Sequence, residues 1–463
     1  MPDSAWVSPA FWCGKRVFLT GHTGFKGAWL ALWLADMGAH VHGYALAPRH
    51  AASLYERLAA HWQLEAQTLA DIRDAKQLHA AMQAANPDIV LHLAAQALVP
   101  EGYRLPVETF ASNVLGTAQV LDCARACPAL KAIVVVTSDK CYEPHSNPWG
   151  HRENDALGGH DPYSASKAAA ELVTDSFRRS FLSNQGIAVA TARAGNVIGG
   201  GDNTPSRLVP DALLALCQQR PLLLRNPQAI RPWQHVLDSL HGYLQLAQKL
   251  YLHGMPWASA WNFAPAPEEA LSAAAVVDLL ARHWPHPVQW QPQCSPQPTL
   301  HENVQLRLDS SKARQHLGWQ PVWNIHTALQ KTVQWQQIPH ALEACRQQIN
   351  EFLLDARAPL TMSQSANLAI HGEVKRGNSY LEPKVPLTSG GEAPTERSEF
   401  FTYPRFTQTP LPLSPTPLPQ GGEGLEAVSP NLSLPQGGEG LEVARPNSPL
   451  PLVGEGAGER ARP

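Results

Sequence analysis

The chain has 463 residues, enough for two or three domains, and 44% of them are hydrophobic, enough for a large core. Its formal net charge of -3 gives no electrostatic case for nucleic acid or for an anionic membrane. Seven cysteines stand far apart, at 13, 123, 127, 141, 217, 294 and 345, an odd and scattered set that implies reduced thiols rather than a disulfide framework.

The first residues, MPDSAWVSPAFWCGKR, lack a basic region followed by an apolar stretch, so no secretory signal is predicted. RVFLT (16–20) reads as a first strand, and a helical pattern runs from Phe25 to Met37, stopped by Gly38. Its apolar part, AWLALWLADMGA, is too short to span a bilayer. A soluble cytoplasmic protein is therefore expected. AHVHGYAL (39–46) reads as the second strand, and its His40 and His42 as packing or surface residues. No His, Cys or carboxylate cluster has metal-ligand spacing, so no metal is expected.

QLHAAMQAA (77–85) reads as a helix, DIVLHLAA (88–95) as a strand and TFASNVLGTAQVLDCARA (109–126) as a helix with Cys123 and Cys127 on its core face. AIVVVTS (132–138) is a further strand, SASKAAAELVTDSFRRSF (164–181) a long helix and IAVATAR (187–193) another strand. Strands alternating with helices predict an α/β fold, a doubly wound parallel Rossmann-type sheet, in which ligands sit at the carboxyl ends of the strands. Residues 1–192 form this dinucleotide-binding domain. From 193 to 355 shorter helices and Gly- and Pro-rich turns predict a smaller substrate domain, parts of which return to the sheet. From 356 to 463 Pro, Gly, Ser and Glu dominate around a degenerate LPQGGEGLE repeat, which predicts a disordered tail.

Three features carry chemistry. After the first strand, TGHTGFKG spaces Gly21, Gly24 and Gly27 where a turn opens a helix; backbone N–H groups and the helix dipole there suit a pyrophosphate. Thr23 and Phe25 belong to the same turn. The second strand ends without the acid that holds an adenosine ribose, and Arg49 follows nearby, so NAD and NADP both stay open. Asp71 and Ile72, in LADIRD, stand where a third strand ends; they contact adenine or form a loop with a helix cap. Second, Tyr163 and Lys167 in DPYSASK share one helix face, and an ammonium beside a phenol lowers the phenol pKa and makes it a usable base. On a bare helix such a pair is often only solvated. Third, the strand AIVVV runs into Thr137, Ser138, Asp139 and Lys140.

A glycine cradle, then a strand ending in Ser/Thr, then Y-x-x-x-K is the layout of the short-chain dehydrogenase/reductase superfamily, which this chain resembles. GHTGFKGAWLALWLADMGAHVHGYALAP, HLAAQALV, PVETFASNVLGT, TSDKCYE, WGHRENDALGGHDPYSASK, RAGNVIGGGD and RNPQAIRPWQHV together resemble the CDP-glucose 4,6-dehydratase family from about residue 12 to 340. The tail has no counterpart there. The resemblance implies NAD as cofactor, CDP-glucose as substrate, a homo-oligomer (dimer or tetramer), and a role in deoxysugars for surface polysaccharide. It implies that Tyr163 takes the C4 hydroxyl proton with Ser138 holding that oxygen, that Asp139 is the acid at C6, and that Lys140 is the C5 base where dTDP-glucose relatives carry glutamate. Adjacent strand residues point to opposite faces, so Asp139 and Lys140 reach one sugar only if the strand has already become a loop. Asn196 matches an asparagine near the sugar phosphate, and Arg231 and Arg207 are candidates for clamping the diphosphate. At 98–103 the chain has Leu, Val, Pro, Glu, Gly and Tyr where the family carries L-V-R-x-S-Y, and 143–150 also departs from the usual form. The rival readings are another nucleotide-sugar epimerase or dehydratase, and an NAD(H)-binding sensor without turnover. An epimerase needs no acid for a leaving hydroxyl, and a sensor needs no Tyr163/Lys167 pair.

Overall fold

A computed structural model describes residues 7–48, 50–62, 64–144, 149–284, 289–293 and 305–357. The readings placed on Arg49, on part of the 143–150 loop and on 358–463 lie outside the described residues.

The strands of the main sheet are Arg16–Thr20 (β1), His40–Ala45 (β2), Ala66–Leu69 (β3), Ile89–His92 (β4), Ala132–Val136 (β5), Ala188–Arg193 (β6) and Ala260–Asn262 (β7). They form one sheet in the order β7-β6-β5-β4-β1-β2-β3, and every pairing is parallel. Residues of β4, β5 and β6 are buried throughout, as a sheet covered on both faces requires. The strand order reverses between β1 and β4, which opens a crevice at their carboxyl ends. Buried hydrogen bonds hold that edge. Thr20 Oγ1 lies 2.7 Å from His92 Nδ1, and His92 Nε2 lies 3.0 Å from Thr117 Oγ1. Burial pushes His92 down to about 3, so it stays neutral there.

The helices of nine residues or more are Phe25–Asp36 (α1), Ala75–Ala85 (α2), Gly116–Ala124 (α3), Pro162–Phe177 (α4), Leu208–Cys217 (α5), Val236–His253 (α6), Ala273–Arg282 (α7), Ile325–Gln337 (α8) and Ala341–Arg357 (α9). On one sheet face Trp29, Trp33, Leu240 and Leu244 of α1 and α6 pack on Leu19, Val134 and Ala190. On the other, Leu78, Met82, Val120 and Leu121 of α2 and α3 pack on Phe18, Ile133 and Val189. Val209, Leu213, Trp233, Val277, Leu280 and Leu329 form a third hydrophobic cluster, separate from these two.

Helical character over 109–126 is not uniform: Pro106–Phe110 leads into a π-type stretch, Ala111–Leu115, before α3. The wider turn keeps Thr109, Asn113 and Thr117 buried together. Cys123 and Cys127 are buried as expected of a core face. From the 193–355 stretch, β7 adds an edge strand to the sheet and α6 covers it. Helix α9 runs to Arg357, so the composition break at 356 falls inside its last turn.

Candidate active site

The turn between β1 and α1 is built by close backbone approach. Gly21 has φ +79°, and a β-carbon there would stand 2.8 Å from the Ala94 amide nitrogen. One on Gly27 would stand 2.0 Å from the Gly21 carbonyl oxygen, so no larger residue fits. Gly24 caps α1 without a side chain, which leaves the first N–H groups of the helix for a ligand. This cradle fits the pyrophosphate of a dinucleotide. Thr23 donates to the Leu46 carbonyl at 2.9 Å and ties the turn to the end of β2.

The cradle opens into one cavity of about 840 Å³. Every residue assigned to the site from sequence lines it: the cradle residues with Phe25, then Asp71 and Ile72, Ser138 to Lys140, Tyr163 and Lys167, and Asn196, Arg207 and Arg231. Asp71 does not cap the helix that follows; Asp74 does, accepting from Lys76 and Gln77 N–H groups. The Asp71 carboxylate instead takes the Arg73 guanidinium at 2.7 Å, and Arg73 also pairs with Glu108 from the opposite wall.

Strand β5 ends at Val136, and Asp139–Cys141 is already a 3-10 turn. The alternation of strand side chains is therefore broken where Asp139 and Lys140 begin, and both line the cavity. Ser138 donates to Asp139 Oδ1 at 2.9 Å and accepts from the Lys140 N–H at 3.2 Å. Asp139 Oδ2 is buried and has no hydrogen-bond partner among the described residues. Tyr163 and Lys167 are both buried on the first two turns of α4, whose start is set by Asp161 accepting from Ser164 N–H at 3.0 Å. Their relationship differs from the sequence expectation. Burial pushes the Tyr163 phenol up to about 12, with the Ser138 hydroxyl and the Arg207 charge pulling against it. Lys167 donates to the Val136 carbonyl at 3.1 Å, and burial pushes its ammonium down to about 8. Burial is the largest cause of both shifts.

On the substrate side, Asn196 sits in a left-handed conformation, φ 41°, a geometry asparagine tolerates. Arg207 precedes α5 and pairs with Asp202 at 3.3 Å. Arg231 is buried and donates to its neighbour's carbonyl, Ile230, at 2.8 Å. The departing segment forms a short helix, Val99–Arg104, with Glu101 paired to Arg104. Gly102 in it packs against Tyr163: a β-carbon would stand 3.1 Å from the Tyr163 nitrogen. Among the described residues no group of His, Cys and carboxylates could hold a metal ion.

Sequence reasoning missed two residues of this site. Lys26 lines the cavity and donates to the Tyr243 hydroxyl at 3.3 Å; burial, with Arg207 and Lys167 nearby, pushes it down to about 7. Its signal was a lysine inside the glycine turn. Gly195 lies against Asp139, and its only signal was a glycine before Asn196.

The family model described as GDP-mannose 4,6 dehydratase matches residues 18–332. The chain belongs to this family. It is 45% identical over 334 residues to a CDP-glucose 4,6-dehydratase of Salmonella typhimurium, covering 71% of this chain and 92% of that relative. A dTDP-glucose 4,6-dehydratase of Streptomyces venezuelae, solved with NAD and DAU bound, superposes with a TM-score of 0.59 at 22% identity, covering 70% of this chain and 97% of that one. A UDP-glucose 4-epimerase of Stenotrophomonas maltophila, with NAD and formylated UDP-arabinopyranose, gives a TM-score of 0.61 at 20% identity over 70% of this chain and 98% of that one. At these identities the two structures establish the shared fold. A dehydratase and an epimerase thus share this fold.

Proposed function

We propose that the chain removes water from a nucleoside-diphosphate sugar, taking CDP-glucose to CDP-4-keto-6-deoxyglucose. The observation that carries the reading is the placement of a buried acid, Asp139, beside the Ser138/Tyr163 pair in one cavity. An epimerase has no use for such an acid; a dehydratase needs one at C6. The cytidine part rests on the Salmonella typhimurium relative.

In this reading the glycine cradle, Asp71, Ile72, Tyr163 and Lys167 hold NAD. When bound, NAD supplies a hydride acceptor that later returns the hydride to C6. Ser138 holds the C4 oxygen while Tyr163 takes its proton, which requires that the positive charge of bound NAD lower the phenol from the value burial gives it. The 4-ketone acidifies the C5 proton, which Lys140 removes and later replaces. Asp139 protonates the C6 hydroxyl, and that C–O bond breaks to release water. Arg231, Arg207 and Asn196 meet the diphosphate. The walls keep bulk water from the intermediates. The same reading makes the protein a cytoplasmic homo-oligomer serving deoxysugar and O-antigen synthesis. No helix among the described residues is long and apolar enough to cross a membrane.

The test is incubation with CDP-glucose and NAD, followed by the alkaline absorbance of a 4-keto-6-deoxy sugar. Product from CDP-glucose is expected. Product only from dTDP- or GDP-sugars overturns the nucleotide assignment, and none from any of them overturns the enzyme.

A further inference from the structure

The Ser138–Cys141 turn is held at both ends by one buried polar network. At its start, Thr137 donates its hydroxyl to Glu171 Oε1. Just past its end, the Tyr142 hydroxyl accepts from Arg193 Nη1 at 2.7 Å and donates to Asn262 Oδ1 at 2.7 Å. Glu171 and Arg193 face each other in a fork, Nε to Oε1 at 2.9 Å and Nη2 to Oε2 at 2.8 Å. Both side chains are 4% exposed. Thr191 donates to Glu171 Oε2 at 2.7 Å, and the Glu153 carbonyl accepts from Arg193 Nη1 at 3.1 Å. Burial alone would raise the Glu171 pKa; the Arg193 charge reverses this and holds the carboxylate ionised.

Three pieces of the site converge on this pair. Helix α4 carries Tyr163, Lys167 and Glu171 on successive turns of one face. Strand β6 carries Thr191 and Arg193, two residues before the Gly195 that abuts Asp139. The turn itself is bonded at Thr137 and Tyr142. Glu171, Arg193 and Tyr142 stay outside the cavity lining, whereas Thr137 borders it. Tyr163 and Lys167 have their own supports, the Asp161 cap and the Val136 carbonyl. Asp139 and Lys140 lie in the turn between the two bonded ends. A fully satisfied buried ion pair gives a fixed geometry rather than net stability.

We propose that Glu171 and Arg193 are positioning residues that set Asp139 and Lys140 against Tyr163, and so govern the elimination half of the reaction. The inference rests on the dehydration reading above. Replacing Glu171 alone would strand a buried guanidinium and unfold the chain, so the test uses Thr137→Val and Tyr142→Phe, which remove one hydroxyl each and keep the ion pair. Steady-state constants and primary deuterium isotope effects on kcat are measured with CDP-glucose deuterated at C4 or at C5. The expected result is a kcat loss between about ten- and a hundred-fold, as for sub-ångström misplacement of reacting groups, with KM held within about two-fold. The C5 isotope effect should grow and the C4 effect shrink, because elimination has become the slower step. Thr137→Ser should restore the wild-type values. Folded variants with wild-type kcat and isotope effects overturn the proposal, as does a kcat loss with both isotope effects unchanged, which marks only a smaller active fraction. Inactivity of the wild-type protein on CDP-glucose is a different result: it overturns the dehydration reading itself.

Discussion

The carboxylate of Asp139 rests on the backbone of Gly195, so closely that a β-carbon at 195 would stand 1.8 Å from Oδ2. The neighbouring residue on the other side, Ser138, holds Oδ1 at 2.9 Å. The acid is thus fixed between a hydroxyl and bare main chain, and a methyl group at 195 must push it aside. Gly195→Ala is expected to lower kcat by about a hundred-fold, the cost of displacing a reacting group by roughly an ångström, with little change in KM. Steady-state kinetics on a variant with an unchanged circular dichroism spectrum checks this; unaltered kcat would show that Asp139 has freedom to move.

Gly27 tests the cradle in the same way. The Gly21 carbonyl oxygen would stand 2.0 Å from an added β-carbon, and main chain on both sides cannot yield as a flexible side chain would. Gly27→Ala should weaken dinucleotide binding and cost about 1–3 kcal/mol of stability through overpacking. Calorimetric titration with NAD and a thermal melt read the two effects separately.

Lys140 borders the cavity from the 3-10 turn beside Asp139. If it carries the C5 proton, Lys140→Met should abolish deuterium incorporation at C5 from heavy water. Mass spectrometry of the product decides the matter. A variant that still exchanges C5 at the wild-type rate sinks the role.

Two sets of buried groups tie stability to pH, in opposite directions. Burial pushes His92 and His235 down to about 3 and His241 down to about 4. The unfolded chain binds protons at these sites first, so the stability they contribute is present above the unfolded histidine pKa and is lost as pH falls toward their folded values. Asp238 is pushed up to about 8 and Glu269 to about 7, in each case chiefly by burial. For these acids the folded chain holds the proton longer, so their contribution is present below the unfolded carboxyl pKa and is lost as pH rises from there through about 7 to 8. Asp238 Oδ1 also accepts from the Val322 N–H at 2.6 Å, a bond an amide oxygen can keep. Asp238→Asn should therefore remove the loss of stability that accrues up to about pH 8 and leave the histidine-driven loss at acid pH in place. Chemical denaturation across the pH range checks both; an unchanged difference in stability between about pH 5 and pH 8 removes Asp238 as its source.

Much of the fold was legible because its signals are local. The burial of β5 shows as a run of apolar residues, and the helix read over 164–181 is α4, which begins two residues earlier, at Pro162 behind the Asp161 cap. The π-type stretch at Ala111–Leu115 was not legible, because the helical pattern continues through it and only tertiary packing of Asn113 asks for a wider turn: its amide donates to Gln96 O at 2.9 Å and Ser166 Oγ at 2.8 Å. Lys26 escaped for a similar reason. A lysine after glycines reads as a solvated side chain until Tyr243, from α6, is brought against it.

By itself the sequence determined the alternation of strands and helices, the glycine turn, and the identity of the groups that line the cavity, because periodicity, backbone freedom and side-chain chemistry are carried by single residues and near neighbours. Only the tertiary structure decided how those groups act on one another. It turned the strand before Asp139, so that an acid and a lysine share one cavity. It raised the Tyr163 phenol by desolvation where helix spacing alone had predicted a drop. It joined Thr137, Tyr142, Glu171 and Arg193, far apart along the chain, into the network behind the turn. Burial and long-range contact exist only once the chain has folded, and they set both the proton affinities and the sub-ångström positions on which the chemistry depends.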